Sequence, residues 1–216
     1  MKKSTLSVSP LFRDMNEFEA ERALKIFDSV ERGYAKNEMI AQMGTELTRF
    51  GIVLEGTVQV SFVDIDGNLV LMASVTAGDA FAESLCWLKV KEIPVTITAF
   101  TDARVLWLDP SALSASCDDE LVTELRNRFI SILASKTLSM NDRVQVLSKP
   151  SLRQKIITFL SQYSNKNSTL TFSVPFDRES LALYLGVNRS ALSRELSVMK
   201  NEGIIDFYKN TFKILK

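Results

Sequence analysis

The sequence contains no histidine among its 216 residues and only two cysteines, Cys86 and Cys117. Histidine is the commonest metal ligand, the usual haem ligand and the usual general base, so its absence disfavours all three kinds of site. Two cysteines make neither a disulfide framework nor a zinc-binding set, and their simplest interpretation is as buried thiols. We therefore expect no catalytic residue, no metal and no cofactor.

The sequence also lacks a long apolar run. The longest stretch without a charged residue is Gly67–Gly78, which is shorter than the roughly 20 residues that a membrane-spanning helix needs. The N-terminal residues include two lysines but no sustained apolar segment before Arg13, so no signal peptide is evident. These observations predict a cytoplasmic protein.

Length and charge indicate two domains with different partners. A chain of 216 residues that is 46% hydrophobic can bury one sizeable core and a second, smaller one. The net charge is zero, but residues 151–216 carry 10 basic and 5 acidic side chains, against 16 and 21 in residues 1–150. A basic module joined to an acidic one is typical of a DNA-binding domain carried by a sensory or assembly domain.

The region from Asp177 to Ile205 has the pattern of a helix-turn-helix. Asp177 can cap a first helix, which ends at Gly186, a residue type that tolerates the left-handed geometry of a tight turn. Asn188 can cap a second helix. Apolar residues recur at helical spacing along that helix at Leu192, Leu196 and Met199. Its opposite face is polar and contains Arg189, Ser190, Ser193, Arg194 and Ser197.

Arginines in the first turns of such a helix suit DNA recognition. The planar guanidinium can donate two hydrogen bonds to guanine or clamp a phosphate, whereas lysine offers only a point charge. The plainer alternative is an αα-hairpin with a solvated polar face. Downstream, the segment from Ile204 to Leu215 predicts a wing hairpin that turns at Lys209-Asn210, with Lys209 and Lys213 placed for phosphates.

The segment LALYLGVNRSALSRELSVMKNEGII, residues 181–205, closely resembles the DNA-binding motif of the Crp/Fnr family of bacterial transcription regulators. The similarity extends to GTVQV at residues 56–60 and to GDAFAES at residues 78–84. The resemblance implies a DNA contact set consisting of Asn188, Arg189, Ser190, Ser193, Arg194, Lys209 and Lys213. Ser190 departs from the family pattern, in which an acidic residue accepts a hydrogen bond from cytosine, so the half-site should differ.

The region from Gly33 to Leu108 predicts an antiparallel β-roll or jelly roll, because short alternating strands follow one another without helical crossovers. Asp66-Gly67 favours a two-residue hairpin turn in it. By resemblance, GDAFAES is the family's phosphate-binding cassette, with Ala82 in place of the usual glycine. The effector-binding positions implied are Gly78, Glu83, Ser84, Val95 and Thr96. Glu83 can equally be a capping residue in a vestigial pocket.

The cassette lacks its usual cation. In nucleotide-binding members an Arg-Ser or Arg-Thr pair before the next strand neutralises the cyclic phosphate, but here the segment reads Glu92-Ile93-Pro94-Val95-Thr96. A buried phosphate without this partner would lose a charge-assisted hydrogen bond and much of its affinity. We therefore expect that cyclic AMP is not the effector.

A long helix is predicted between the two domains. Ser116-Cys117-Asp118-Asp119 resembles a capping box, and Val122, Leu125, Phe129 and Ile132 follow at heptad-like spacing. Such a stripe can be ordinary core or a dimer seam, and the resemblance implies a dimerisation helix. Pro150 then ends the helix. The predicted domains are a β-roll effector domain over residues 1–115, the dimerisation helix over 116–148 and a winged helix-turn-helix over 149–216.

The fold expected is thus α+β, and the function expected is that of a homodimeric, sequence-specific transcription regulator. Its partners would be double-stranded DNA, a second copy of the chain, RNA polymerase and a small-molecule effector, if one exists. Two alternatives remain open at this point. One is a regulatory β-roll that controls a partner enzyme, and the other is a redox or metal sensor.

Overall fold

The computed structural model describes residues 6–114 and 118–215, which divide into two compact units. The first unit comprises residues 6–62 and 73–136, and the second comprises residues 63–72 and 137–215. In the part of the chain described, no helix is both long enough and apolar enough to cross a membrane.

Two four-stranded sheets form the β-roll, as the alternating sequence pattern predicts. The first sheet has the order β1-β8-β3-β6, with β1 at Val30–Tyr34, β8 at Ala103–Leu108, β3 at Phe50–Glu55 and β6 at Ala80–Phe81. The second has the order β2-β7-β4-β5, with β2 at Met39–Ala41, β7 at Thr96–Ala99, β4 at Thr57–Val63 and β5 at Leu69–Thr76. The strand pairs β1–β8, β3–β8, β3–β6, β2–β7 and β4–β7 are antiparallel.

The turn between β4 and β5 differs from the predicted two-residue hairpin. Ile65–Gly67 form a three-residue loop, because the Asp64 backbone N–H donates to Asn68 O at 2.9 Å and Gly67 N donates to Asp64 O at 3.0 Å. Gly67 has a φ of 82°, as in a type I turn followed by a bulge. The Asp64 side chain also accepts hydrogen bonds from the N–H groups of Asp66 and Asn68 and from the side-chain amide of Asn68. These bonds to the charged form lower the pKa of its carboxyl.

Helices pack on this roll within the first unit. They are α1 at Glu17–Ile26, α2 at Glu83–Trp87, a short 3₁₀ helix at Pro110–Ser114 and the first part of α3, which spans Glu120–Leu147. A row of rings links them to the sheet, since Phe27 contacts Phe12 at 6.3 Å and Phe50 at 6.0 Å, and Phe50 contacts Phe129 at 5.2 Å between centroids.

The apolar stripe predicted as core or dimer seam on α3 is core. Val122, Leu125, Phe129 and Ile132 are 0–9% exposed and belong to the buried cluster of the first unit. These side chains cover the unit's own interior and are unavailable to a second chain. The capping box predicted at Ser116 and Cys117 lies outside the described residues. Asp119 Oδ1 instead accepts from Leu121 N at 3.0 Å at the start of α3.

The second unit contains the winged helix. Its elements are α4 at Leu152–Asn167, β9 at Thr171–Ser173, α5 at Arg178–Leu185, α6 at Arg189–Asn201, β10 at Ile205–Tyr208 and β11 at Thr211–Ile214. The three strands form a sheet with the order β10-β11-β9. Leu71 and Val146 join its core, which includes Phe159, Leu196 and Met199. The predicted break at Pro150 is present, because Ser151 caps α4 by accepting from Gln154 N at 3.2 Å.

Candidate nucleic-acid interface and effector cassette

Local sequence signals set the entry and exit of both helices in the helix-turn-helix. Asp177 Oδ1 accepts from Ser180 N at 2.7 Å and starts α5. Gly186 follows its end with a φ of 64°, the left-handed conformation that most side chains disfavour. Asn188 Oδ1 then accepts from Ser190 N at 2.8 Å and starts α6. The predicted caps and turn are therefore all present.

The helix α6 has one buried face and one open face, as its sequence predicts. Leu192, Leu196 and Met199 are 0–1% exposed and anchor the helix in the core of the second unit. Arg189, Ser190, Arg194 and Ser197 are exposed, while Ser193 is half-buried. The polar residues therefore share the accessible side of a helix whose other side is fixed.

Two side chains on the open face are held by local hydrogen bonds. Ser190 Oγ donates to Asn188 Oδ1 at 2.7 Å, which orients the hydroxyl at the start of the helix. Arg194 Nε donates to Ser190 O at 3.3 Å, so its two Nη groups remain the donors for a base edge or a phosphate. Farther along, Ser197 Oγ donates to Ser193 O at 3.0 Å.

Arg189 occupies the first residue of α6, where the helix dipole disfavours a cation. An exposed arginine at this position destabilises the helix slightly, and an anionic partner would offset the unfavourable placement. The helix dipole disfavours the arginine that the sequence places at position 189, and such a conflict is typical of a functional residue.

The wing forms where the sequence predicts it. Tyr208 pairs with Thr211 across the hairpin, so Lys209 and Asn210 make a two-residue turn in which Lys209 has a φ of 52°. Lys209 and Lys213 are both exposed, and Lys209 Nζ lies 5.5 Å from the centre of the Tyr208 ring. Both lysines therefore present ammonium groups to solvent on the wing.

Arg178 supports the wing and was not identified from the sequence. Its Nη2 donates to Lys209 O at 3.1 Å, and its guanidinium carbon lies 5.0 Å from the Phe207 ring centre and 5.6 Å from that of Phe212. Partial burial lowers the pKa of this guanidinium. Arg178 is also the first residue of a helix, so the same dipole argument could have marked it.

The C-terminal end of α6 is tied to its neighbours by ion pairs between residues far apart in sequence. Arg153 of α4 contacts Glu195 at 2.7 Å and Glu202 at 2.8 Å. Lys200 contacts Asp206 of β10 at 2.6 Å. The hydrogen bond from Lys200, and a second one from Phe207 N, lower the pKa of the Asp206 carboxyl.

The predicted effector cassette lies at β6 and the short helix α2. Gly78 has a φ of 93°, and a Cβ at this position would lie 2.7 Å from Val8 O, so a side chain would strain the backbone and meet the N-terminal segment. Ala82, which replaces the usual glycine, keeps the left-handed conformation with a φ of 61°. Glu83 follows as the first residue of α2 and is 2% exposed.

The remaining predicted effector residues are in different surroundings. Ser84 is exposed, whereas Val95 is 6% exposed and packs in the apolar cluster between the sheets. Thr96 Oγ1 accepts from Met43 N at 3.4 Å. Ile93, in the segment where nucleotide-binding relatives carry an arginine, is 1% exposed and also belongs to that apolar cluster.

Lys136 contacts the cassette and was not identified from the sequence. It lies on α3, and its ammonium contacts the Glu83 carboxylate at 2.8 Å. The two residues are 53 positions apart, so only the packing of α3 on the roll brings them together. The residue types and their spacing in the sequence do not predict that Glu83 and Lys136 form an ion pair.

Two family models match the chain, and together they span more than two thirds of it. Residues 31–120 match the cyclic nucleotide-binding domain, and residues 154–216 match the Crp-like helix-turn-helix domain. A comparison with curated protein sequences gave no match.

Several solved structures have the same fold as this chain. A CRP-family regulator from Thermus thermophilus is 25% identical, with 86% of this chain and 92% of that chain covered and a TM-score of 0.63. FixK2 from Bradyrhizobium japonicum is 21% identical, with 87% and 93% covered and a TM-score of 0.69. A CooA variant from Carboxydothermus hydrogenoformans is 21% identical, with 94% and 93% covered and a TM-score of 0.72.

The fold and both domain matches define a DNA-binding regulator that combines a cyclic-nucleotide-binding-type roll with a winged helix-turn-helix. The chain belongs to the Crp/Fnr family of transcription regulators.

Proposed function

We propose that this regulator acts in the cytoplasm as a homodimer that binds an inverted DNA repeat and catalyses no reaction. The observation that carries the proposal is the open face of α6, on which Arg189, Ser190 and Arg194 are exposed while the opposite face is buried. A helix fixed in this way can enter the major groove with its first turns against base edges. The basic charge of residues 151–216 favours the same partner.

The side chains on the interface divide into two classes by position. Arg194 and Ser190 lie on the recognition helix and can reach base edges. Lys209 and Lys213 lie on the wing and contact only the DNA backbone in the expected docking. Asn188 and Ser193 complete the helix contacts. Because Ser190 replaces the acidic residue of the family pattern, the preferred half-site lacks the usual requirement for cytosine at that position.

A second apolar stripe on α3 supports dimerisation. Ile130, Met140, Val144 and Leu147 are 38–64% exposed and occupy a and d positions of one heptad frame. This stripe is separate from the core-facing residues Val122, Leu125, Phe129 and Ile132. Exposed a/d residues at 3.5-residue spacing are those that pair two helices in a coiled coil. A second copy of the chain is therefore the proposed partner.

A two-fold dimer of this chain would determine the spacing of the two DNA half-sites. Two recognition helices related by a dimer axis bind an inverted repeat whose half-site centres are about one helical turn, roughly 34–36 Å, apart. RNA polymerase is the further partner that a regulator bound beside a promoter would contact. Whether transcription rises or falls depends on where the repeat lies relative to that promoter.

Selection of bound sequences from a random duplex pool tests the DNA partner and the half-site together. An enriched inverted repeat with the stated spacing would support the proposal. Enrichment of no sequence would favour the alternative of a regulatory roll that acts on a partner enzyme. Sedimentation of the wild-type protein and of Val144→Glu tests the dimer, since a charge at an a position of the stripe should convert dimers to monomers.

A further inference from the structure

The Glu83 carboxylate of the cassette is buried, which costs free energy because the charged group loses its contact with water. Its side chain is only 3% exposed, at the start of α2, where the residue before it offers no side-chain cap. A buried carboxylate is tolerated when it is paired and hydrogen-bonded, and the cost is large when it is not. The family resemblance makes Glu83 an effector-binding position, at which a bound ligand would meet part of this need.

Lys136 supplies the buried Glu83 carboxylate with a positively charged partner from the same chain. Its Nζ lies 2.8 Å from Glu83 Oε1 and 2.9 Å from Oε2, and it donates to Ala80 O at 2.5 Å. An ammonium has three donor hydrogens, and these three acceptors use all of them. The same cation thus contacts both carboxylate oxygens and the backbone of β6.

The contact joins two elements that a ligand would otherwise join. Glu83 and Ala80 belong to the cassette, and Lys136 belongs to α3, which continues to Leu147. In the segment where the resemblance places the phosphate-binding arginine, Ile93 and Val95 are instead buried in the apolar cluster.

We propose that Lys136 is a built-in occupant of the effector site, so that the cassette and α3 are coupled without a diffusible ligand. The proposal rests on the proposed function, because the coupling matters for DNA binding. A ligand that used Glu83 would have to share its carboxylate with the Lys136 ammonium, which already contacts both oxygens. The protein therefore binds its DNA sites in the absence of any cyclic nucleotide.

The test compares variants that break the pair with one that removes both members. Lys136→Met keeps most of the side-chain length but leaves the carboxylate buried without its cation, and Glu83→Gln leaves the ammonium without its anion. The double variant Glu83→Gln/Lys136→Met removes both charges, which is usually much less destabilising than removing one. Lys91→Met, an exposed lysine of the same unit, is the matched control.

The melting temperature should fall for each single variant, recover in the double variant and stay unchanged for Lys91→Met. Affinity for the selected duplex should behave differently. It should fall roughly tenfold in both single variants and remain low in the double variant, because the coupling is absent even though the fold has recovered. A merely structural pair would recover affinity together with stability.

Three results would overturn the inference. The first is a single variant with wild-type affinity for DNA, and the second is full recovery of affinity in the double variant. The third is a melting shift of the wild-type protein by millimolar cyclic AMP that disappears in Lys136→Met, since native-state binding raises stability and would make Lys136 a ligand contact. Failure of the wild-type protein to bind any duplex would instead contradict the proposed function. The melting temperatures of the variants would still show whether the Glu83–Lys136 ion pair stabilises the fold.

Discussion

Arg153 and Glu202 form a two-pronged ion pair in which Arg153 Nη1 lies 2.8 Å from Glu202 Oε2 and Nη2 lies 3.0 Å from Oε1. Glu202 is the C-cap of α6, where the helix dipole disfavours an anion. Arg153 Nε also contacts Glu195, which lies on α6, at 2.7 Å. One arginine of α4 thereby offsets two acidic side chains and fixes the end of the recognition helix. These hydrogen bonds raise the pKa of the Arg153 guanidinium.

Arg153→Met should lower the melting temperature, because two carboxylates on α6 lose their cation while the aliphatic stem is retained. The difference from the wild-type protein should shrink as salt is added, since the groups are partly exposed and screening weakens such pairs. Thermal melts at low and high ionic strength check this. Arg32→Met, at an exposed arginine of β1, is the control. An equal loss at both salt concentrations would mean that packing, and not charge, is responsible.

The ion pair between Lys200 and Asp206 predicts a pH dependence. The pKa of Asp206 is lowered in the folded state, first by the hydrogen bond from Lys200 and then by that from Phe207 N. A depressed carboxyl pKa contributes stability that is present above the unfolded pKa of about 4 and is lost as the pH falls through the folded value. Asp206→Asn should therefore reduce stability at pH 7 and leave it little changed near pH 2. Equal destabilisation at both pH values would contradict this assignment.

The conformation of Gly186 can be tested without changing the core. With a φ of 64°, an added side chain would be strained, although among the described residues the atom nearest to its Cβ is Leu147 Cδ2, at 3.9 Å. Gly186→Ala should cost about 1 kcal/mol of unfolding free energy, as left-handed strain outweighs the smaller entropy of the unfolded alanine chain. Gly186→Asn should cost less, because asparagine tolerates this conformation. Urea unfolding of both variants gives the comparison, and equal costs would point to a steric cause.

Cys86 allows a test of the redox-sensor alternative. Cys86 is 5% exposed, and burial, followed by the charges of Glu83 and Asp109, raises the pKa of its thiol to about 12. At neutral pH this thiol is protonated and unreactive. Native labelling with a thiol reagent, followed by peptide mapping, should leave Cys86 unmodified, while denaturant should expose it. Rapid native labelling of Cys86 would reopen the possibility of thiol-based sensing at that residue.

Local features of the fold were predictable from the sequence, whereas tertiary contacts were not. The caps Asp177 and Asn188 and the turn at Gly186 each depend on residues within a few positions. The Glu83–Lys136 pair requires α3 to pack on the roll over a separation of 53 residues. The stripe at Val122–Ile132 had the right period but could not distinguish the chain's own core from a partner's helix. The periodicity of apolar residues predicts which face of a helix is buried, but it does not predict whether the same chain or a partner covers that face.

The position of the cassette was predictable from its glycine and glutamate, but its state was not. Residue types identify Glu83 as a group that needs a partner when buried. Lys136 supplies that partner, and this becomes visible only in the folded structure. Similarly, Arg153 and Arg178 are ordinary surface residues in the sequence, and their contacts with α6 and the wing depend on the assembled winged helix.

Comparing Arg194→Ala with Lys213→Ala tests most directly the claim that α6 reads base sequence. Affinities are measured on the selected duplex and on a scrambled duplex at several salt concentrations. Arg194→Ala should cost about 1–3 kcal/mol on the selected duplex and relax preference at one base pair per half-site, because we propose that its Nη groups contact a base edge. Lys213→Ala should weaken both duplexes alike and reduce the salt slope by about one unit for each phosphate that is no longer neutralised. Equal weakening on both duplexes for Arg194→Ala would contradict base reading by this helix.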